Sequence, residues 1–254
     1  MRLLERKPNG DLVLHNFIGT DVPAYAILSH TWGTEEVSLQ EVEAGTGKNK
    51  DGWKKIEFCA KQAGADGLRY IWVDTCCIDK KDAVELSEAI NSMFRWYQSA
   101  ARCYVYLSDL STENAEQNGQ VNPTWEPAFR NSRWFTRGWT LQELIAPTLI
   151  DFFSSEGERL GNKLTLEPII HEITGIAASV FRGDALSNFS IHQRMSWAEH
   201  RITTLEEDKA YCLLGIFDVS MPLIYGEGRD RAVGRLQEEI HKSFKGMQFS
   251  STHR

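Results

Sequence analysis

The sequence predicts an α/β fold: a mostly parallel sheet with flanking helices, followed by a C-terminal helical appendage. Three observations lead to it. Up to about residue 160, apolar runs of strand length alternate with amphipathic runs of helix length. The apolar runs end on polar or acidic residues, as strands do where they leave a buried sheet. From about residue 165 the strand-length runs stop and the apolar spacing becomes helical. A repeated strand–helix–strand order is what right-handed crossovers impose on a parallel sheet. The chain accordingly divides into an α/β core over 1–160, a helical extension over 161–246 and a flexible tail over 247–254.

The elements follow in order. Residues 24–30 form a short apolar run ending in Ser29-His30, read as a buried strand that leads into a Trp32-Gly33 loop. Over 51–64, Trp53, Ile56, Cys59, Ala60 and Ala63 recur at helical spacing until Gly64 and Gly67 stop them. Residues 70–74 are a second strand, ending in Asp74. Asp82 and Glu85 have the spacing of a capping box, opening a helix to about residue 100 with Leu86, Ile90, Met93, Phe94 and Tyr97 on one face. Residues 103–107 are a third strand, 111–124 a polar loop, and 148–153 a fourth strand. Beyond these, Thr165 is placed as the cap of a helix to about 178, and Thr204 with Glu207 as a second capping box. A last amphipathic helix spans 228–244 with Ala232, Leu236, Ile240 and Phe244 in register.

Bulk properties narrow the function classes. The chain has 254 residues, 42% hydrophobic and 25% charged, with eight Trp and a net charge of -7. This describes a globular protein with a well-filled core, and its acidic balance argues against nucleic-acid or anionic-membrane binding. The five cysteines are widely spaced, with no CxxC pair and no Cys/His ligand cluster, so they read as reduced thiols and no metal site is expected. No stretch is long and apolar enough to span a membrane. A cytoplasmic location is expected.

Open parallel sheets bind ligands at the carboxyl ends of their strands, where strand order reverses. That rule singles out Ser29, His30, Trp32 and Asp74. A second candidate is Arg137-Gly138-Trp139-Thr140-Leu141-Gln142-Glu143-Leu144, which sets a carboxylate among apolar neighbours. Ordinary roles fit these residues as well. Glu143 suits the first turn of a short helix, Trp139 the core, Asp74 a turn cap, Arg137 a surface ion pair and His30 a structural hydrogen bond. Cys76 and Cys77 with His30 and Asp74 contain the residue types of a thiol nucleophile, but two adjacent cysteines at a strand end also suit buried small apolar positions.

Three segments in combination resemble the fungal heterokaryon-incompatibility (HET) domain: Tyr25 to Gly33, with Ser29-His30-Thr31-Trp32-Gly33; Ile71 to Asp79, with the following helix into Tyr106; and Arg137 to Leu144. The run from Ser196-Trp197 through Asp208–Asp218 to Gly228 resembles the extended form found at the head of fungal NLR-like receptors. The resemblance implies a cell-death effector, self-association, and a NACHT/WD-repeat receptor in cis or trans. The chain contains no P-loop sequence, so it is expected to be an excised effector domain or a short protein.

More distantly, the order Leu28-Ser29, Val73-Asp74, Glu85-Leu86, Val105 to Ser108 and Trp139 to Leu144 is similar to TIR domains. That likeness implies a TIR/flavodoxin-like sheet and a NAD glycohydrolase (NADase) activity with NAD or NADP as substrate and no permanently bound cofactor. Glu143 matches the TIR glutamate; Thr140 stands where that pattern often has Cys. Ser29, His30, Trp32, Gly33, Asp74, Arg137, Trp139 and Thr140 are then the candidate dinucleotide-binding residues. Trp32 or Trp139 would stack on nicotinamide or adenine, Arg137 would pair with the pyrophosphate, and Ser29 and His30 would hold ribose or amide groups. The alternative is a non-enzymatic module that signals through self-association and partner binding.

Overall fold

The computed structural model describes residues 1–19, 21–113 and 125–250. Among these, seven strands form one sheet: β1 (Arg2–Arg6), β2 (Leu12–Asn16), β3 (Tyr25–His30), β4 (Tyr70–Trp72), β5 (Arg102–Tyr106), β6 (Ile150–Phe153) and β7 (Arg159–Asn162). Their spatial order is β2-β1-β4-β3-β5-β6-β7. The four central strands, β4-β3-β5-β6, are parallel, and both flanks are antiparallel. The expected α/β class and parallel centre are found.

β3 is buried along its whole length because it lies between β4 and β5 and is covered on both faces, which is why its sequence is nearly continuous in apolar residues. The chain leaves β3 for β4 on one side and returns to β5 on the other. Strand order therefore reverses at β3, and the carboxyl ends of β3 and β5 flank the crevice where such sheets take ligands.

The helices are α1 (Leu39–Glu43), α2 (Asp51–Ala65), α3 (Ala83–Ser99), α4 (Glu126–Arg130), α5 (Thr140–Ile145), α6 (Glu167–Thr174), α7 (Ala178–Phe181), α8 (Ile191–Ser196), α9 (Asp208–Tyr211), α10 (Leu214–Phe217) and α11 (Arg229–Ser250). α2 packs on β3 and β4, and α3 packs on α5 and α10. Asp82 caps α3 by accepting from the Val84 and Glu85 amides. The core against β6 is aromatic. Trp134 packs edge-on against Phe135 (5.1 Å between ring centroids) and Phe152 (5.7 Å), and Phe129 bridges the same two phenylalanines.

Several expectations are corrected. β1, β2 and β7 extend the sheet beyond the strands legible in the sequence, and β7 carries it to Asn162, past the division placed at residue 160. Thr165 does not cap α6. Its hydroxyl accepts from the Asn162 amide to close a turn, and the helix stops at left-handed Gly175, short of residue 178. Thr204 and Glu207 form no capping box, since the Glu207 carboxylate accepts the Gly226 and Gly228 amides instead. α11 runs to Ser250, with Ala232, Leu236 and Ile240 buried as expected. The side chain of Phe244, most of the 111–124 loop and residues 251–254 lie outside what the structure describes. No described helix is long and apolar enough to cross a membrane.

Candidate functional site

Glu143 sits on α5, a helix of six residues that are all buried. The segment leading into it is held like a strand. The Gly138 amide donates to Ile202 O (2.9 Å), and the Ile202 amide to Thr136 O (2.6 Å). Gly138 is required by close approach, because a Cβ there would lie 2.5 Å from Thr203 Cγ2. Arg201, also buried, donates from Nη1 to the Arg137 carbonyl and to Thr140 Oγ1, both at 2.9 Å. The helical half of the chain thus fixes the start of α5.

From α5, Glu143 reaches the carboxyl end of β3 and is only 5% exposed. Ser29 Oγ donates to Glu143 Oε2 (2.5 Å), and Trp134 Nε1 donates to Ser29 Oγ (2.8 Å). Tyr97 also contacts the Glu143 carboxyl, while the Tyr97 hydroxyl donates to Leu28 O (3.0 Å). Burial, reinforced by the negative charge of Asp74, pushes Glu143 up to about 8 against the opposing pull of Ser29, Tyr97 and Arg201.

Proton counting points the same way. The chain Trp134–Ser29–Glu143–Tyr97–Leu28 starts on a group that only donates and ends on one that only accepts. The Trp134, Ser29 and Tyr97 protons are each committed within it, so a carboxyl facing the Tyr97 oxygen is best matched when it carries a proton of its own.

A second group of side chains lies at the ends of β3 and β4. The His30 ring is buried, and its Nε2 is 3.7 Å from both Glu36 Oε2 and Asp74 Oδ1. Each carboxylate is anchored through its other oxygen. Glu36 Oε1 accepts from the Gly33 amide and Lys55 Nζ, both at 2.5 Å, and Asp74 Oδ2 accepts from Trp32 Nε1 (2.8 Å). Burial opposes ionisation of Glu36, but His30 and Lys55 outweigh it and hold the carboxyl at about 2. Trp32 is 52% exposed, and Lys80 Nζ stands 3.5 Å from its ring centroid.

Ser29, His30, Trp32, Gly33, Asp74 and Glu143 are thus gathered at one end of the sheet, with Asp74 close enough to both groups to act on Glu143. The polar groups of the other three candidates point elsewhere. Arg137 donates to Thr204 Oγ1 (2.7 Å), Trp139 Nε1 to Asp208 (3.1 Å), and Thr140 Oγ1 to Trp134 O (2.5 Å). Arg137 pairs with Ile202 along the backbone, and the side-chain bonds of Arg137 and Trp139 run to the helical half rather than to the strand-end group. Cys76 and Cys77 are buried, and the hydrogen bond to Cys77 together with burial raises the Cys76 thiol far above its usual range, which removes the thiolate a nucleophile needs.

Residues 25–127 match the family model described as Heterokaryon incompatibility protein (HET). Across 245 residues, 95% of its length, the chain is 55% identical to Vegetative incompatibility protein HET-E-1 of Podospora anserina. The chain carries a HET domain. It spans about 18% of that relative's length. No solved structure matches it.

The family match covers the strand-end residues Ser29 to Glu36, Asp74 and Tyr97, and ends before Trp134 and Glu143. Four residues of the candidate site are not legible in the sequence: Glu36, Tyr97, Trp134 and Arg201. Glu36 follows the Trp32-Gly33 loop at short range and carried a weak signal. The other three look like core or surface positions until the fold brings them to Ser29 and α5. Among the described residues no group of His, Cys, Asp and Glu is arranged to hold a metal.

Proposed function

We propose that this HET domain is a cell-death effector of vegetative incompatibility. On this reading it acts as a NAD(P) glycohydrolase, cleaving the nicotinamide–ribose bond when the domain self-associates. The supporting observation is the placement of Glu143, a buried carboxyl hydrogen-bonded to Ser29 at the point where the order of the parallel strands reverses.

The chemistry needs a single well-placed carboxyl. The electron pair of the breaking C–N bond goes to the nicotinamide ring, which leaves neutral, and positive charge grows on the ribose. A carboxylate beside that carbon stabilises the charge. Before substrate binds, about one-tenth of Glu143 is ionised at pH 7, which by itself costs about 1.4 kcal/mol. The cationic nicotinamide ring of the substrate reverses that balance, because an adjacent positive charge favours the ionised carboxyl. Entry of substrate and loss of the proton are coupled.

The test is nicotinamide release from NAD by the domain clustered on a multivalent support, compared with Glu143→Ala under the same conditions. Release by the wild type and none by the variant is expected. Equal release from both, or none from clustered wild type, overturns the reading.

A second reading has its own observation. Glu143 is nearly sealed, while Ile202, Leu205, Ile224 and Tyr225 of the helical half are exposed, as suits a module that signals by contact with a copy of itself or with a receptor joined in cis or trans. Expression in a fungal host separates the two. Death caused by Glu143→Ala, and lost in Leu205→Asp or Ile224→Asp, favours contact signalling over catalysis.

A further inference from the structure

His30, Glu36 and Asp74 bring together three polar atoms that lack hydrogen-bond partners: His30 Nε2, Glu36 Oε2 and Asp74 Oδ1. The His30 side chain is 2% exposed, and those of Glu36 and Asp74 are each 17% exposed. An unpaired polar atom at such depth is costly, and three directed at one another call for a common partner. At 3.7 Å the imidazole is beyond hydrogen-bond range of either carboxylate. The spacing does suit an oxygen seated between them, at about 2.8 Å from each side.

The surroundings fix the three atoms in place. Lys55 and the Gly33 amide hold Glu36 by its other oxygen, and Trp32 holds Asp74 by its other oxygen. Neither free oxygen can turn away without breaking those bonds. The two carboxylate oxygens only accept, whereas the imidazole donates when Nε2 carries its proton. The complementary ligand group offers two O–H donors on adjacent atoms and an oxygen that accepts from the ring.

We propose that His30, Glu36 and Asp74 form a subsite for a vicinal diol, the 2′- and 3′-hydroxyls of a ribose. Glu36 and Asp74 each accept one hydroxyl proton, and His30 donates to one of the hydroxyl oxygens. Trp32, anchored to Asp74 and half exposed, borders the subsite. This deepens the dinucleotide reading above by naming the group that is gripped and by adding Glu36 to the site.

The experiment is calorimetric titration of the whole chain with adenosine diphosphate ribose and two analogues, each lacking the vicinal hydroxyls of one of its riboses. One analogue is expected to bind at least tenfold more weakly than the parent, since hydrogen bonds to charged groups are lost. In Glu36→Gln and Asp74→Asn an amide N–H₂ replaces the free acceptor, and the preference for the diol is expected to fall to about twofold or less. Thermal unfolding reports whether each variant folds, and the ligand series on wild type decides alone if one does not. The proposal is overturned if both analogues bind like the parent, if the discrimination survives in both folded variants, or if the parent does not bind at millimolar concentration. Diol-dependent binding of NAD without cleavage keeps the subsite and removes the glycohydrolase. Cleavage with diol-indifferent binding does the reverse.

Discussion

Glu143 makes a quantitative prediction about stability and pH. Its carboxyl stands at about 8 in the folded chain against an ordinary value of 4.5. Between those values the folded state binds a proton that the unfolded state releases. Stability is then fully retained below about pH 4.5, falls as pH rises, and levels off above about 8. Each pH unit in that window removes up to ~1.4 kcal/mol, and the whole window about 5 kcal/mol. Glu143→Gln keeps a neutral side chain of the same shape that still accepts from Ser29 and carries no proton to lose. One of its amide hydrogens faces the Tyr97 oxygen, and the other lacks a partner at a cost of about 1 kcal/mol. The variant is therefore expected to be slightly less stable than wild type at pH 5 and more stable at pH 8.5. Urea unfolding at half-unit steps from pH 5 to 8.5 measures the difference directly, and the groups shared by both chains cancel. Parallel curves across that range would refute the neutral resting carboxyl and the proton count behind it.

Two other outcomes follow from the packing around the site. Gly138→Ala is expected to destabilise the chain by about 1–3 kcal/mol by forcing Thr203 and Cys212 away from the start of α5, a loss read from the shift in urea midpoint. All five cysteines are buried and burial raises the thiols of Cys59 and Cys212. Iodoacetamide followed by mass spectrometry should label none of them in the native state and all of them in urea; rapid native labelling of Cys76 or Cys77 would reopen the thiol-nucleophile reading.

The central strands were legible because a parallel strand covered on both faces must be almost wholly apolar, as Tyr25–His30 is. The flanking strands were not. β1 offers only Leu3 and Leu4 between charged residues, and β7 has Leu160 beside Gly161. Two apolar residues set no period. Glu143 could be singled out from its local motif, but its bond to Ser29 spans 114 positions and depends on how α5 is laid against β3. Arg137 and Trp139 belong to the same motif and were assigned to the ligand. Their side chains bond Thr204 and Asp208, partners more than sixty positions away that local sequence does not encode. Glu36 is hidden in the sequence because one of two adjacent acids after a loop looks like solvated surface, whereas Lys55 and the Gly33 amide draw it inward.

The position of Arg201 changes how the helical half is understood. As an appendage it would only cover the sheet, yet it supplies the cation that hydrogen-bonds to Arg137 O and Thr140 Oγ1 at the start of α5 and acts electrostatically on Glu143. α5 is consequently held from two directions, by Ser29 of β3 through Glu143 and by Arg201 of the helical half. A displacement of the helical half relative to the sheet would take the positive charge of Arg201 away from Glu143 and admit water to its carboxyl. The two changes oppose each other: losing the cation raises the carboxyl further, while admitting water lowers it. Because burial is the largest influence on Glu143, hydration prevails. On the proposed reading, opening the site thus moves Glu143 toward its ionised form.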